Sequence, residues 1–158
     1  MIFPIGTSGE TIEFHDAVIS HLLKHRQTRW WHREAGGLLF ARFTGSTIRV
    51  EEATGPRKSD FRTPYSYWPD RKAEQGEIDE RYKVGLHYVG DWHSHPEQFP
   101  EPSGRDAQTM TSRVRRSKHQ LNGILFAIIG QASLPSGLTV VLHDGRQWHP
   151  LRAVAPLT

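Results

Sequence analysis
The stretch DWHSHPEQFPEPSGRD, Asp91 to Asp106, admits few backbone paths. Pro96, Pro100 and Pro102 break it too often for one helix or one strand. Two histidines one residue apart stand before the first proline, and a serine and an aspartate follow the last. On a strand, His93 and His95 point to one face while Ser94 points to the other. Two imidazoles so placed, about 7 Å apart at the backbone, can converge on one ion at roughly 2.0–2.1 Å from each nitrogen. Pro96 then ends the strand, because it cannot donate to a ladder. Asp106, one turn into a following helix, is the nearest third ligand. Each piece has a plainer reading alone. Ser103-Gly104-Arg105-Asp106 is also S-x-x-D, a variant of the capping box that starts helices, and a lone histidine pair need bind nothing. Together they match two histidines and a carboxylate with an open position, the hydrolytic zinc arrangement.

Composition narrows the chemistry. The chain has no cysteine, which excludes disulfides and thiolate ligands, so a metal must be held by His, Asp or Glu. Its 158 residues suit a single domain, 1–158, with its own core. No apolar run approaches the roughly 20 residues of a membrane span. The start, MIFPIGTSGE, lacks the basic and apolar regions of a secretory signal, so a cytoplasmic protein is expected. The net charge of +3 owes much to RVRRSK, Arg113 to Lys118. Without interleaved aromatics this reads as a solvated helix face, and no nucleic-acid partner is expected.

Along the chain, IFPI and TIEF read as strands and HDAVISHLLKHRQ as a helix. His21 and His25, four apart on that helix, read as surface or helix-end histidines, since no acidic third ligand adjoins them. Leu38 to Phe43 is an apolar strand that turns through Gly45 into a second, a β-hairpin. TGPRKSDFRTPYSYWP reads as a long polar loop, and DRKAEQGEIDERYK as a helix. VGLHYVGDWH is a strand running into the histidine segment. SGRDAQTMTSRVRRSK reads as a helix, NGILFAIIG as a buried strand and GLTVVLHDG as another. Trp92 alternates away from the histidines and belongs in the core, whereas Asp91 reads as a strand-end surface acid rather than a partner of a histidine. The mixed order predicts an α/β fold, an α-β-α sandwich around a mixed, largely antiparallel, curved sheet. Glu34, ahead of Gly-Gly and an apolar run, is locally odd and offers the base that a hydrolytic site needs.

Glu34 with GGLLF, then WHSHP, then Ser103-x-x-Asp106, resembles the JAMM motif of JAB/MPN metalloproteases: Glu, H-x-H, seven residues, S, two residues, D. The resemblance covers about residues 11–145. It implies the cytidine-deaminase-like JAB/MPN fold and one Zn²⁺ held by His93, His95 and Asp106, with water as fourth ligand. It also implies Glu34 as general base and Ser103 as hydroxyl donor to the oxyanion. ATGPRKSDFR and YVGDWHSHPE look most like the prokaryotic branch encoded beside ubiquitin-activating-like and ubiquitin-conjugating-like enzymes, some of which serve antiphage defence. The implied activity is peptidase or isopeptidase cleavage after the C-terminus of a ubiquitin-like protein or its conjugate. Enzymes of the same operon are the implied further partners. The substrate's extended tail would then add as a strand, with Gly55–Pro69 and Glu97–Pro102 the expected contacts. Without cysteines or further ligand clusters, a second structural zinc of the eukaryotic kind is not expected.

Two other classes compete. A catalytically inactive MPN-type scaffold would have lost ligands, and here every one is present. A zinc nucleobase deaminase needs H-x-E with P-C-x-x-C; His32-Arg33-Glu34 imitates the first half, but the second cannot exist without cysteine.

Overall fold
A computed structural model describes residues 1–116 and 123–154. The strands are β1 (Ile2–Pro4), β2 (Thr11–Phe14), β3 (Gly36–Thr44), β4 (Thr47–Ala53), β5 (Phe61–Thr63), β6 (Ser66–Trp68), β7 (His87–Ser94), β8 (Ile124–Ile129), β9 (Leu138–His143) and β10 (Trp148–Leu151). The helices are α1 (Asp16–Lys24), α2 (Arg71–Lys83) and α3 (Gly104–Arg116). Eight strands form one sheet in the order β1-β2-β4-β3-β7-β8-β9-β10, and β5 and β6 form a separate pair. Within the large sheet β2–β4 and β7–β8 are parallel and the other pairs antiparallel. The sheet curves until its edges nearly meet, where Ile2 bridges Val154. This is the expected mixed α/β fold with a curved sheet and three helices.

Burial explains the layering. Val18 and Leu22, four apart on α1, pack with Phe3, Phe14, Leu39, Trp92, Leu125 and Val140 inside the curve. On the outer face Met110 of α3 packs on Ile124 and Phe126 of β8. Buried on both faces, β8 reads ILFAII without alternation, as a central strand parallel to its neighbour does. Asp70 caps α2 by accepting from the backbone N–H of Lys72 and Ala73 at 3.0 and 3.1 Å. Opposite β3, the register of β7 jumps from Gly90 to Tyr88. The skipped residue puts Tyr88 on the outer face, where its hydroxyl reaches Asp91 at 3.0 Å.

Three sequence expectations are corrected here. TGPRKSDFRTPYSYWP, residues 54–69, is not all loop: Phe61–Thr63 and Ser66–Trp68 pair as a hairpin across Pro64-Tyr65. Strands this short leave little periodicity to detect. Arg113 is not on a solvated face; its guanidinium lies 2.7 Å from Glu74 and 2.9 Å from Asp91, both carboxylates largely out of solvent. Ser117 and Lys118 of that basic stretch lie outside the described residues. Asp91 correspondingly is neither a surface acid nor a histidine partner. Among the described residues no helix is long and apolar enough to cross a membrane.

His21 and His25 flank Trp92, at ring separations of 5.3 and 5.7 Å, and His21 Nε2 contacts the Gly55 carbonyl at 2.7 Å. Burial, helped by His21 and Lys24, lowers His25 from 6.5 to about 4. The folded chain therefore keeps this ring neutral where the unfolded chain protonates it. Stability is full above pH 6.5 and is lost as pH falls toward 4, by about 1–2 kcal/mol after allowing for a half-buried, solvent-screened ring. Urea unfolding at pH 7 and 4.5 tests this: His25→Gln should show a smaller acid loss than the parent chain.

Candidate active site
Three segments meet at one end of the sheet. β7 brings His93 and Ser94, with His95 just beyond; the turn into β3 brings Glu34; the first turn of α3 brings Asp106. The His95 N–H donates to the Ile129 carbonyl at 3.0 Å, so pairing with β8 outlasts the strand's formal end. The two imidazoles sit on one face with ring centroids 4.8 Å apart. Ser94 turns to the opposite side and is fully buried, donating to Gln27 Oε1 at 3.0 Å and accepting from Ala35 N–H at 2.9 Å. That serine couples the histidine strand to the residue after Glu34.

The Gly-Gly pair after Glu34 has a steric reason. Gly36 and Gly37 stand opposite His93 and Trp92 across the ladder. A Cβ on Gly37 would overlap the Thr54 carbonyl, and one on Gly36 would come within 2.6 Å of the Tyr67 ring. Only glycine lets the hairpin segment lie this close. That segment in turn holds Glu34: its N–H donates to Thr63 O at 2.8 Å, and its carbonyl accepts from Arg62 Nε at 2.7 Å.

The capping reading of Ser103 holds. The Asp106 N–H donates to Ser103 Oγ at 3.1 Å and the Ser103 N–H to Asp106 Oδ2 at 2.6 Å, a reciprocal cap with aspartate in the glutamate's place. The cap also aims the carboxylate: Oδ1 lies 3.4 Å from His93 Nε2, and Oδ2 lies 3.4 Å from His95 Nε2.

Among the described residues His93, His95 and Asp106 form the group able to hold a metal, with ligand atoms all within 4.8 Å of one another. Four ligands about 2.1 Å from a tetrahedral ion are themselves roughly 3.4 Å apart. His93 Nε2 is buried and has no hydrogen-bond partner, which is costly unless something else satisfies it. The donor set is compatible with a metal ion. Burial works to raise the Asp106 carboxyl, but the His93 and His95 imidazoles, each 3.4 Å away, hold it well below the usual carboxylate range. Burial raises Glu34, only partly offset by His93 and His95.

A cavity of about 270 Å³ opens beside these groups, lined by Glu34, His93, Ser103 and Asp106 and continuing between Trp68 and Met110. Arg105 closes part of its rim, its guanidinium 4.6 Å over the Trp68 ring and 3.3 Å from Ser66 Oγ. All five residues expected from the sequence are thus brought to one site. Sequence reading missed the supports: Ser94, Gln27, Arg62 and the hairpin. The signal for Gln27 was a glutamine just past an apolar helix face, which says nothing of its partners.

Residues 15–149 match the family of prokaryotic homologs of the JAB domain, and the chain belongs to it. A CD-NTase/cGAS isopeptidase of Enterobacter hormaechei is 31% identical over 131 residues, covering 82% of this chain and 68% of that protein. A probable metalloprotease, y4qB of Sinorhizobium fredii, is 34% identical over 105 residues, covering 63% of each chain. A solution structure of a Desulfitobacterium hafniense protein shares the fold, with a TM-score of 0.62 at 22% identity over 88% of both chains. Family and relatives support a JAB-type peptidase, a hydrolase.

Proposed function
We propose that this chain is a zinc-dependent peptidase or isopeptidase that cleaves after the C-terminus of a ubiquitin-like protein or its conjugate. The convergence of His93, His95 and Asp106 beside the half-buried Glu34 carries the reading. The three would hold Zn²⁺, and the ion when bound supplies Lewis-acid activation of water and of the scissile carbonyl. Glu34, its affinity for protons raised by burial, takes a proton from the attacking water and returns it to the leaving amine. The Ser103 hydroxyl donates to the carbonyl oxygen as negative charge develops there, a contact typically worth about 2.7–4 kcal/mol of barrier.

The isopeptidase names of several relatives support a conjugate as substrate. The tail would lie as an extended strand between the hairpin segment and Glu97–Pro102, where Tyr65 and Phe99 are 81% and 67% exposed. Ubiquitin-activating-like and conjugating-like enzymes of a bacterial antiphage system would be its cytoplasmic companions. An inactive scaffold is the competing reading.

Metal content by mass spectrometry decides between them. About one zinc per chain is expected in the parent and almost none in His95→Ala, with chelator-sensitive cleavage of ubiquitin-like fusions. A parent chain that takes up no zinc when it is supplied would leave the scaffold as the answer.

A further inference from the structure
We propose that Glu97 is a positioning residue of the metal centre: its carboxylate, facing Nδ1 of His95, favours the hydrogen on that nitrogen and so leaves the Nε2 lone pair free for an ion beside Asp106. This rests on the metal-site reading above. His95 is 9% exposed, and its Nδ1 is buried with no hydrogen-bond partner. Glu97 Oε2 lies 3.4 Å from that nitrogen, while Asp106 Oδ2 lies 3.4 Å from Nε2. The ring therefore stands between two carboxylates, one facing each nitrogen.

A neutral imidazole carries a single N–H. With the hydrogen on Nδ1 the ring can ligate through Nε2; with it on Nε2, the nitrogen facing Asp106 has no lone pair to offer. A carboxylate at Nδ1 selects the ligating form and makes the ring a better donor to a metal.

The backbone that carries Glu97 is held in three places although its side chain is 57% exposed. The Pro96 carbonyl accepts from Gln131 Nε2 at 2.8 Å, the Glu97 carbonyl from Gln131 N–H at 2.8 Å, and the Gln98 carbonyl from Ala132 N–H at 3.0 Å. The loop is thus set by the 130–132 turn, and the Glu97 side chain takes no part in holding it. Truncating that side chain should change the metal site and leave the fold alone.

The test is the zinc dissociation constant of the full chain, measured by competition with a chromophoric chelator. Glu97→Ala should bind zinc 10- to 100-fold more weakly than the parent. Glu97→Gln, which keeps an acceptor oxygen, should recover most of that loss. Glu80→Ala, an exposed acid on α2, should bind as the parent does, and unfolding of the metal-free Glu97 variants should match the parent's. Zinc held by Glu97→Ala as tightly as by the parent overturns the proposal while the metal site stands. A His95→Ala variant that binds as tightly as the parent overturns the metal-site reading and this inference with it.

Discussion

Glu34→Gln should lower the rate of cleavage by about 10²- to 10⁴-fold, the usual contribution of a positioned proton carrier. The amide is nearly isosteric and cannot accept the proton. It leaves in place the backbone contacts that seat the residue, namely Thr63 O with the Glu34 N–H and Arg62 with the Glu34 carbonyl. His93, His95 and Asp106 remain as they were, so zinc content should stay at the parent level. The pairing of lost turnover with retained metal is the informative result, since a scaffold would show no change in biological role. A Glu34→Gln variant that still cleaves at more than a tenth of the parent rate would remove Glu34 from the chemistry.

Arg113→Ala should cost about 3 kcal/mol of stability, the low end of the usual penalty for leaving a buried charge unpaired, because Asp91 loses its only cation among the described residues. Glu74 is only 2% exposed, and Arg113 meets it at 2.7 Å while also lying 2.9 Å from Asp91. Arg57 joins the same group, 3.8 Å from Glu74 and 2.6 Å from Glu77. Four pieces are tied by these charges: the segment before the hairpin, α2, β7 and α3. Among the described residues, loss of this cation leaves Asp91 with only the Tyr88 hydroxyl, beside Met110 and Phe126, while Glu74 keeps Arg71 at 3.0 Å. Urea unfolding of the metal-free protein measures the effect. Replacing Asp91 by Asn in the same variant should restore part of it, and a cost under 1 kcal/mol for Arg113→Ala would show the network to be dispensable.

The chain's own pattern made much of this legible. Pro96 and the S-x-x-D cap forced the strand-to-helix passage between His95 and Asp106, and alternation put Trp92 in the core, where it is 1% exposed. Local rules were enough because each of those features is decided within a few residues. Asp91 and Arg113 were misread because their partners are remote in sequence. A charge that pairs across 22 residues looks, in its own window, like any solvated one. The hairpin was missed for a related reason: three-residue strands carry no periodicity of their own, and what orders them is the close seat that Gly36 and Gly37 provide.

Gln27 lies just past α1, 1% exposed, and its amide nitrogen donates to the carbonyls of His32 and Pro64 at 3.1 and 2.8 Å. Its amide oxygen accepts from Ser94, and its backbone carbonyl accepts from Gln131, which also grips Pro96. Two loops are therefore rooted on Gln27 directly and a third through Gln131, while their tips carry Trp30, Tyr65 and Phe99 at 84%, 81% and 67% exposure. Root and tip are separate inheritances. Side chains at the tips can be exchanged for others without moving the cluster of His93, His95, Asp106 and Glu34 that the loops surround.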